Sequence, residues 1–104
     1  MVFWNIEATT GYHPITTFWQ DFSIADTFGK DAVENTFRRA FDEWKEDYRF
    51  LTELVLVLNH KIWQHHGHNA LLAQTYDRLW READQYAVDN LTGDALMYYY
   101  EITD

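Results

Sequence analysis

The sequence predicts an all-α protein that folds as a compact four-helix bundle within a single domain, residues 1–104. Apolar and aromatic side chains recur every three or four residues over most of the chain, which is the spacing of one helical face. Hydrophobic residues make up 47% of the chain and aromatic residues 18%, enough to drive collapse around a core. A length of 104 residues is ordinary for one domain.

An extended N-terminal arm, residues 1–15, and a first helix, residues 18–28, are predicted at the start of the chain. Turn-forming threonine, glycine and proline residues interrupt the aromatic residues of the arm, so no helical period is present there. The first helix follows the capping-box pattern of Thr17 and Gln20, and Gly29 interrupts its apolar period.

The second predicted helix has the most regular apolar stripe in the sequence. It begins with a further capping-box pattern, Asp31 and Glu34, in which two side chains satisfy free backbone N–H groups. The stripe consists of Val33, Phe37, Ala40, Phe41, Trp44 and Tyr48. Charged residues fill the opposite face, which we expect to be solvated.

The third predicted helix, residues 48–66, is apolar on nearly every side. Its main face comprises Leu51, Leu54, Val55, Leu58 and Ile62. Leu56 and Trp63 fall nearly opposite this face on a helical wheel. Because a helix with this pattern is typically buried on several sides, we expect the aromatic ends of the chain or a second copy of the protein to cover Leu56 and Trp63.

A fourth, long helix is expected after Gly67, with Asn69 as its N-cap. Its apolar stripe continues towards Leu91 and comprises Leu72, Tyr76, Leu79, Trp80, Ala83, Tyr86 and Ala87. Two ion pairs at four-residue spacing are predicted on its outer face: Asp77 with Arg81 and Arg78 with Glu82. The tyrosine-rich residues 94–104 fit a short helix or a terminal strand, and the pattern does not decide between them.

Composition excludes several classes of function. The net charge is −9, and residues 82–104 contain six acidic and no basic residues, so direct binding of nucleic acid is not expected. The longest apolar run, residues 54–58, is far shorter than the roughly 20 residues that cross a membrane. Because no cysteine is present for a disulfide or a thiolate metal site, we expect a cytoplasmic protein.

Four histidines within nine positions, His60, His65, His66 and His68, are the first candidates for chemistry, and His13 is distant in the chain. Imidazole is a common metal ligand, but two ligands on one helix normally lie three or four residues apart. His60 and His65 are five apart. We therefore favour a role for His65 and His66 at the carboxyl end of the third helix, where cations are stabilised, and predict no metal or other cofactor.

A second candidate is the polar stripe of Glu53, His60 and Gln64 on the third helix. Two turns, about 10 Å, separate Glu53 from His60, so proton exchange between them needs a third group. The simpler interpretation is that this stripe is the solvent-exposed side of the helix. No catalytic residue is predicted, and we do not expect an enzyme.

Five residues are predicted to contact a protein partner: Leu56, Trp63, Tyr98, Tyr99 and Tyr100. Tyrosine and tryptophan are enriched at protein interfaces. Apolar surface beyond the needs of one core also marks an interaction site.

Four segments resemble small uncharacterised bacterial proteins, of the kind that accompany mobile elements. The segments are Thr17 to Phe22, Phe41 to Lys45, Leu51 to Val55 and Tyr98 to Tyr100. The resemblance implies no particular activity, cofactor or catalytic residue.

Three functional hypotheses follow. The first is a noncatalytic helical domain that binds another protein, a second copy in a homodimer included. The second is an acidic mimic of nucleic acid that occupies a DNA-binding protein, and it follows from the net charge of −9. The third is a metal-dependent protein or an acid–base enzyme that uses the histidines or Glu53.

Overall fold

The computed structural model describes residues 14–103, which form five helices. These are α1 (Pro14–Asp26), α2 (Lys30–Trp44), α3 (Tyr48–His65), α4 (Ala70–Asn90) and α5 (Gly93–Thr103). No strand occurs within residues 14–103, and the all-α prediction is confirmed. The tyrosine-rich segment, for which the pattern allowed a helix or a strand, forms α5 as a fifth helix. None of these five helices has both the length and the apolar character that crossing a membrane requires.

The ends of α1 differ from the predicted ends. The helix begins at Pro14. Proline suits the first helical position, because the backbone N–H group that it lacks would have no acceptor within the helix there. Residues 14 and 15 are therefore helical, Thr17 lies inside the helix, and the rest of the predicted arm is outside the described residues. The helix ends at Asp26. Gly29 follows it with a φ of 109°, a backbone conformation that residues other than glycine rarely adopt.

Helix capping agrees with one predicted motif and contradicts two. The capping box at Thr17 is wrong, because Thr17 lies inside α1 and is not its N-cap. The capping box at Asp31 is wrong: Gly29 is the N-cap of α2, no side chain caps this helix, and Asp31 lies in its first turn. The Asp31 carboxylate lies 3.1 Å from the Lys30 ammonium instead. The prediction for Asn69 is confirmed, because its side chain accepts a hydrogen bond from the Leu72 N–H group at 3.1 Å.

All five helices contribute side chains to the core. Helix α3 packs against each of the other four, most extensively against α4. The buried apolar residues are Phe18, Phe22, Ala25, Val33, Phe37, Phe41, Leu51, Leu54, Val55, Val57, Leu58, Leu72, Tyr76, Leu79, Ala83, Ala87 and Tyr99. The predicted stripes of the second, third and fourth helices thus face the core, with one exception: Tyr48, predicted at the end of the second stripe, is the first residue of α3 and is 37% exposed. Ile62 and Trp80 pack at the edge of the core.

Ion pairs on the outside of the protein join α2 to α4. The predicted pair of Arg78 with Glu82 is wrong, because Arg78 pairs with Glu34 across the helix interface. Glu82 accepts two hydrogen bonds from Arg38, of 2.7 and 3.0 Å. Because α2 and α4 pack side by side, these side chains find partners on the neighbouring helix rather than on their own.

Candidate functional site

The five predicted contact residues differ in exposure. Trp63 on α3 is 67% exposed, and on α5 Tyr100 is 43% and Tyr98 36% exposed. Leu56 is half-buried. Tyr99 is completely buried, so it belongs to the core of the chain, whereas the other four side chains remain accessible to a partner.

Tyr99 is held in the core by a hydrogen bond to α4. Its hydroxyl donates to the Oδ1 atom of Asp84. Burial raises the pKa of the Tyr99 phenol, and the hydrogen bond and negative charge of Asp84 raise it further. The phenol therefore keeps its proton near neutral pH, and the bond fixes both the inner face of α5 and the orientation of the Asp84 carboxylate.

An open groove lies where the end of α5 meets the seam between α3 and α4, and we call it the α3–α5 groove. Its volume is about 410 Å³. It is lined by Val55, Leu56 and Asn59 of α3, Trp80, Asp84 and Val88 of α4, and Tyr99, Tyr100 and Thr103 of α5. Binding pockets typically measure about 300–1,000 Å³, so the groove is large enough to accept a side chain of a partner.

Trp63 continues the exposed face of α3 beyond the groove. Seven residues separate it from Leu56, which places both side chains on the same side of α3, about 10 Å apart along the axis. The Trp63 ring lies edge-on to His66, with 5.6 Å between ring centres. We define the contact surface as the α3–α5 groove together with Trp63 and Tyr98.

Two further exposed apolar residues of α5 were not predicted as contacts. Met97 is 71% exposed and Ile102 is 42% exposed. Tyr98 packs edge-on against Tyr48 of α3, with 5.3 Å between ring centres. The signal lay in residues 95–100, three apolar residues followed by three tyrosines, because a helix packed on one side cannot bury every member of such a run.

Within residues 14–103 the histidines are not grouped as a metal site requires. His65 is the last residue of α3, the position that the helix-end interpretation gave it, and His66, His60 and His68 are exposed. No group of three or more metal-binding side chains occurs among residues 14–103, and His13 lies outside the described residues. The metal hypothesis therefore has no ligand set in this part of the chain.

The indole of Trp19 lies between Glu53 and His60. Its Nε1–H group donates to Oε2 of Glu53 at 3.2 Å, and its ring lies edge-on to the imidazole of His60, with 5.0 Å between ring centres. An indole N–H group is only a donor, so Trp19 cannot act as the third group of a proton relay. Helix α1 thus covers part of a stripe that was expected to face solvent, while Gln64 remains exposed.

A buried ion pair that was not predicted joins α1 to α3. Lys61 is only 2% exposed, and its ammonium lies 2.8 Å from Oδ2 of Asp26 and 3.2 Å from Oγ of Ser23. The Tyr76 hydroxyl donates to Oδ1 of Asp26. His65 Nε2 lies 3.1 Å from the same Oδ2 atom, outside hydrogen-bond geometry, and its ring stacks parallel to Tyr76. We call these five residues the Asp26 cluster.

The charged groups of the Asp26 cluster are shielded from solvent, and Ser23 is its one exposed member. The charged side chains of Asp26 and Lys61 and the ring of His65 are each at most 13% exposed. Burial raises the pKa of the Tyr76 phenol, and the hydrogen bond and charge of Asp26 raise it further. The sequence signal was Lys61 itself, because a lysine that becomes buried on a helix with apolar residues on nearly every side needs a carboxylate partner.

Comparison of the chain with protein-family models, with curated proteins and with solved structures finds no match. The resemblance to small uncharacterised bacterial proteins therefore stays a prediction from the sequence.

Proposed function

We propose that this chain is a noncatalytic helical domain that acts in the cytoplasm by binding another protein. In this proposal α1 to α4 form a four-helix bundle, and α5 lies against α3 and α4 and completes the contact surface. The partner is a second copy of the chain in a homodimer or a different protein. No nucleic acid, membrane, metal or cofactor takes part.

Exposure of Trp63 is the main support for a protein-binding role. A large apolar side chain that is fully buried contributes about 1.5–3 kcal/mol, and Trp63 forgoes most of this because it is 67% exposed. A partner that covers the indole recovers this free energy. Tryptophan is also among the residues most enriched at the energetic centres of interfaces.

Trp63 lies on the same side of α3 as the groove residue Leu56, with the polar Asn59 between them. Single exposed apolar residues are normal on protein surfaces, whereas contiguous ones mark binding sites. Leu56 lies two turns before Trp63 on the same side of α3, and Val88 and Tyr100 line the adjoining groove. The contact surface has an indole at one end and a groove at the other, a shape that suits the side chains of a protein.

The two other hypotheses have less support. A mimic of nucleic acid needs a continuous row of uncompensated carboxylates. Within residues 14–103, the carboxylates that lie in ion pairs with a basic side chain are those of Asp26, Asp31, Glu34, Asp47, Asp77 and Glu82. An acid–base enzyme needs a relay between Glu53 and His60, where Trp19 lies instead.

Site-specific photo-crosslinking in the native host tests the proposal. A photoreactive phenylalanine analogue replaces Trp63, the cells are irradiated, and the adducts are separated by mass. We expect an adduct at this position because the indole is a contact residue. A mass of twice the chain indicates a homodimer, and any other mass identifies a different protein for sequencing.

Phe28 supplies the matched control position. It is an aromatic residue that is 77% exposed, and it lines a different pocket between α1 and α2 together with the exposed Ile24. Exposure alone would therefore predict adducts at Phe28 as well, and the comparison tests whether the surface around Trp63 is the one that binds. Adducts at position 63 and none at position 28 support the proposed surface. No adduct at position 63, or equal yields at both positions, contradicts it. Light scattering of the purified chain at about 1–100 μM separates the two kinds of partner, because a strict monomer excludes the homodimer.

A further inference from the structure

The α3–α5 groove offers apolar surface to a partner. Its residues Val55 and Tyr99 are already almost completely buried, so this surface belongs to the half-buried Leu56 and Trp80 and to the exposed Val88. It favours an aliphatic or aromatic side chain of a partner, because covering exposed apolar surface removes it from water.

The rim of the groove is negatively charged. Asp84 lines the groove, and the hydrogen bond from Tyr99 occupies its Oδ1 atom. Within the described residues no basic side chain forms an ion pair with Asp84. Arg81, the nearest basic residue in the sequence, pairs with Asp77 at 2.9 Å. Asp84 therefore has a carboxylate oxygen free to meet a cation.

The carboxyl end of α5 adds negative charge at the groove. Thr103, the last residue of α5, lines the groove. The carboxyl end of a helix carries about half a unit of negative charge, which a basic residue in the last turn reduces. Helix α5 has no basic residue there, and residues 82–104 contain no lysine or arginine.

We infer that the α3–α5 groove binds a basic amphipathic helix of a partner protein. An apolar side chain of that helix enters the groove, and a neighbouring lysine or arginine meets Asp84 and the carboxyl end of α5. Helix-in-groove recognition uses apolar anchors spaced three or four residues apart, and Trp63 lies about 10 Å beyond Leu56 along α3. This inference rests on the proposed function, since it specifies the chemistry of the partner at the same contact surface.

A second copy of the chain is a poor occupant of the groove. In a two-fold symmetric contact centred on the groove, two Asp84 carboxylates and two α5 carboxyl ends come together. The net charge of −9 on each copy adds to this repulsion. The same negative charges attract a basic partner and raise its association rate.

Three synthetic helical peptides of about 18 residues, or five turns, test the inference. The first has leucines on one face and lysines on the other. The second keeps the lysines and replaces each leucine with serine, and the third keeps the leucines and replaces each lysine with glutamine. Each peptide is titrated into the full chain, and binding is followed by the NMR shift of the Trp80 indole N–H group. We expect saturable binding of the first peptide, at least tenfold tighter than that of either other peptide, about the factor that one good contact provides.

Two variants locate the binding site. Asp84→Asn retains an oxygen that accepts the Tyr99 hydroxyl but lacks the charge, and we expect the first peptide to bind about three- to tenfold more weakly. Asp42→Asn makes the same charge change on α2, which does not line the groove, and should leave affinity unchanged. Val88→Lys places a cation in the groove at a residue that is 38% exposed, so the fold should survive while binding weakens by at least about tenfold.

Several outcomes would overturn the inference. Equal binding of the leucine–lysine and serine–lysine peptides would indicate nonspecific charge attraction, and equal effects of Asp84→Asn and Asp42→Asn would place the contact elsewhere. A Trp80 shift that depends on protein concentration without peptide would show that a second copy occupies the groove. Adducts at position 63 without peptide binding would refute this inference and leave the proposed function intact, whereas absence of adducts would refute the proposed function.

Discussion

Lys61 is buried in an otherwise apolar part of the protein, and Asp26 makes this burial tolerable. Moving an ammonium group into the interior costs several kcal/mol unless a carboxylate and hydrogen bonds receive it. Asp26 and Ser23 receive it at 2.8 and 3.2 Å. Lys61 and Asp26 are 35 residues apart in the sequence, so the pair forms only when α1 packs against α3.

Replacement of Lys61 by methionine should lower the free energy of unfolding by about 3 kcal/mol, because Asp26 is left buried without its cation. Lys61→Met/Asp26→Asn removes both charges and should lose only about 1 kcal/mol. Urea denaturation measures both values. The matched control is Lys30→Met, at a lysine that is 44% exposed, where we expect less than about 1 kcal/mol. Equal losses for Lys61→Met and Lys30→Met would contradict a stabilising role of the buried pair.

Tyr76 and Tyr99 make stability depend on alkaline pH. Each phenol has its pKa raised above the ordinary value of 10.0, first by burial and then by a carboxylate, Asp26 or Asp84. The folded protein therefore holds these protons more tightly than the unfolded chain. This contribution is complete below about pH 10 and is lost as the pH rises towards the folded pKa values.

We expect the free energy of unfolding to fall above about pH 10 by about 1.4 kcal/mol per pH unit for each of the two phenols. Urea denaturation across this range measures the slope, and tyrosinate absorbance should show both phenols ionising only on unfolding. Tyr99→Phe should halve the slope. An unchanged slope in Tyr99→Phe would show that this phenol titrates equally in the folded and unfolded states.

At the level of the helix, the starts of α2 and α4 differ in how their free N–H groups are satisfied. The Asn69 side chain caps α4, whereas α2 starts after Gly29 without a side-chain cap. Asp31 therefore acts on α2 only through its charge near the amino end and through its exposed pair with Lys30.

These different roles predict different costs of substitution. Asn69→Ala should lower the free energy of unfolding by about 1 kcal/mol, because a backbone N–H group loses its acceptor. Asp31→Ala should cost less than about 0.5 kcal/mol. Thermal or urea denaturation of both variants provides the comparison. A larger loss for Asp31→Ala than for Asn69→Ala would mean that the predicted capping box forms in solution.

Helices with a regular apolar stripe could be predicted from the sequence, because their period depends on local spacing alone. The Asp77–Arg81 pair, at 2.9 Å, was predictable for the same reason, since both partners lie on α4. Features that depend on the neighbouring helix were not predictable. Arg78 binds Glu34 on α2, and Lys61 binds a carboxylate on α1.

The contact surface was predictable only in part. The helical wheel placed Trp63 away from the main face of α3, and it is exposed. Consecutive tyrosines point in directions about 100° apart on a helix, so that only the position of α5 decides which of them is buried. Tyr99 faces the core, and Tyr98 and Tyr100 do not. The groove needs three helices to form, so no local pattern specifies it.

The shape of the described part explains why α3 is not covered on every side. Its extents are 37 × 32 × 20 Å, and the shortest equals about two helix diameters. Helices arranged in two layers leave each member with a side that faces outwards. Helix α3 contacts all four other helices, and Trp63 still lies on its uncovered side. Apolar residues all round α3 therefore exceed what this arrangement can bury.

The central claim is that Trp63 contacts a partner and does not stabilise the fold. Trp63→Ser tests it when the free energy of unfolding and the yield of the partner complex are measured on the same preparation, with Phe28→Ser as the matched exposed control. We predict a stability change within about 0.5 kcal/mol and a complex weakened by about 2 kcal/mol, roughly thirtyfold, while Phe28→Ser changes neither. Undiminished complex in Trp63→Ser, or a loss that merely follows reduced stability, would contradict the claim.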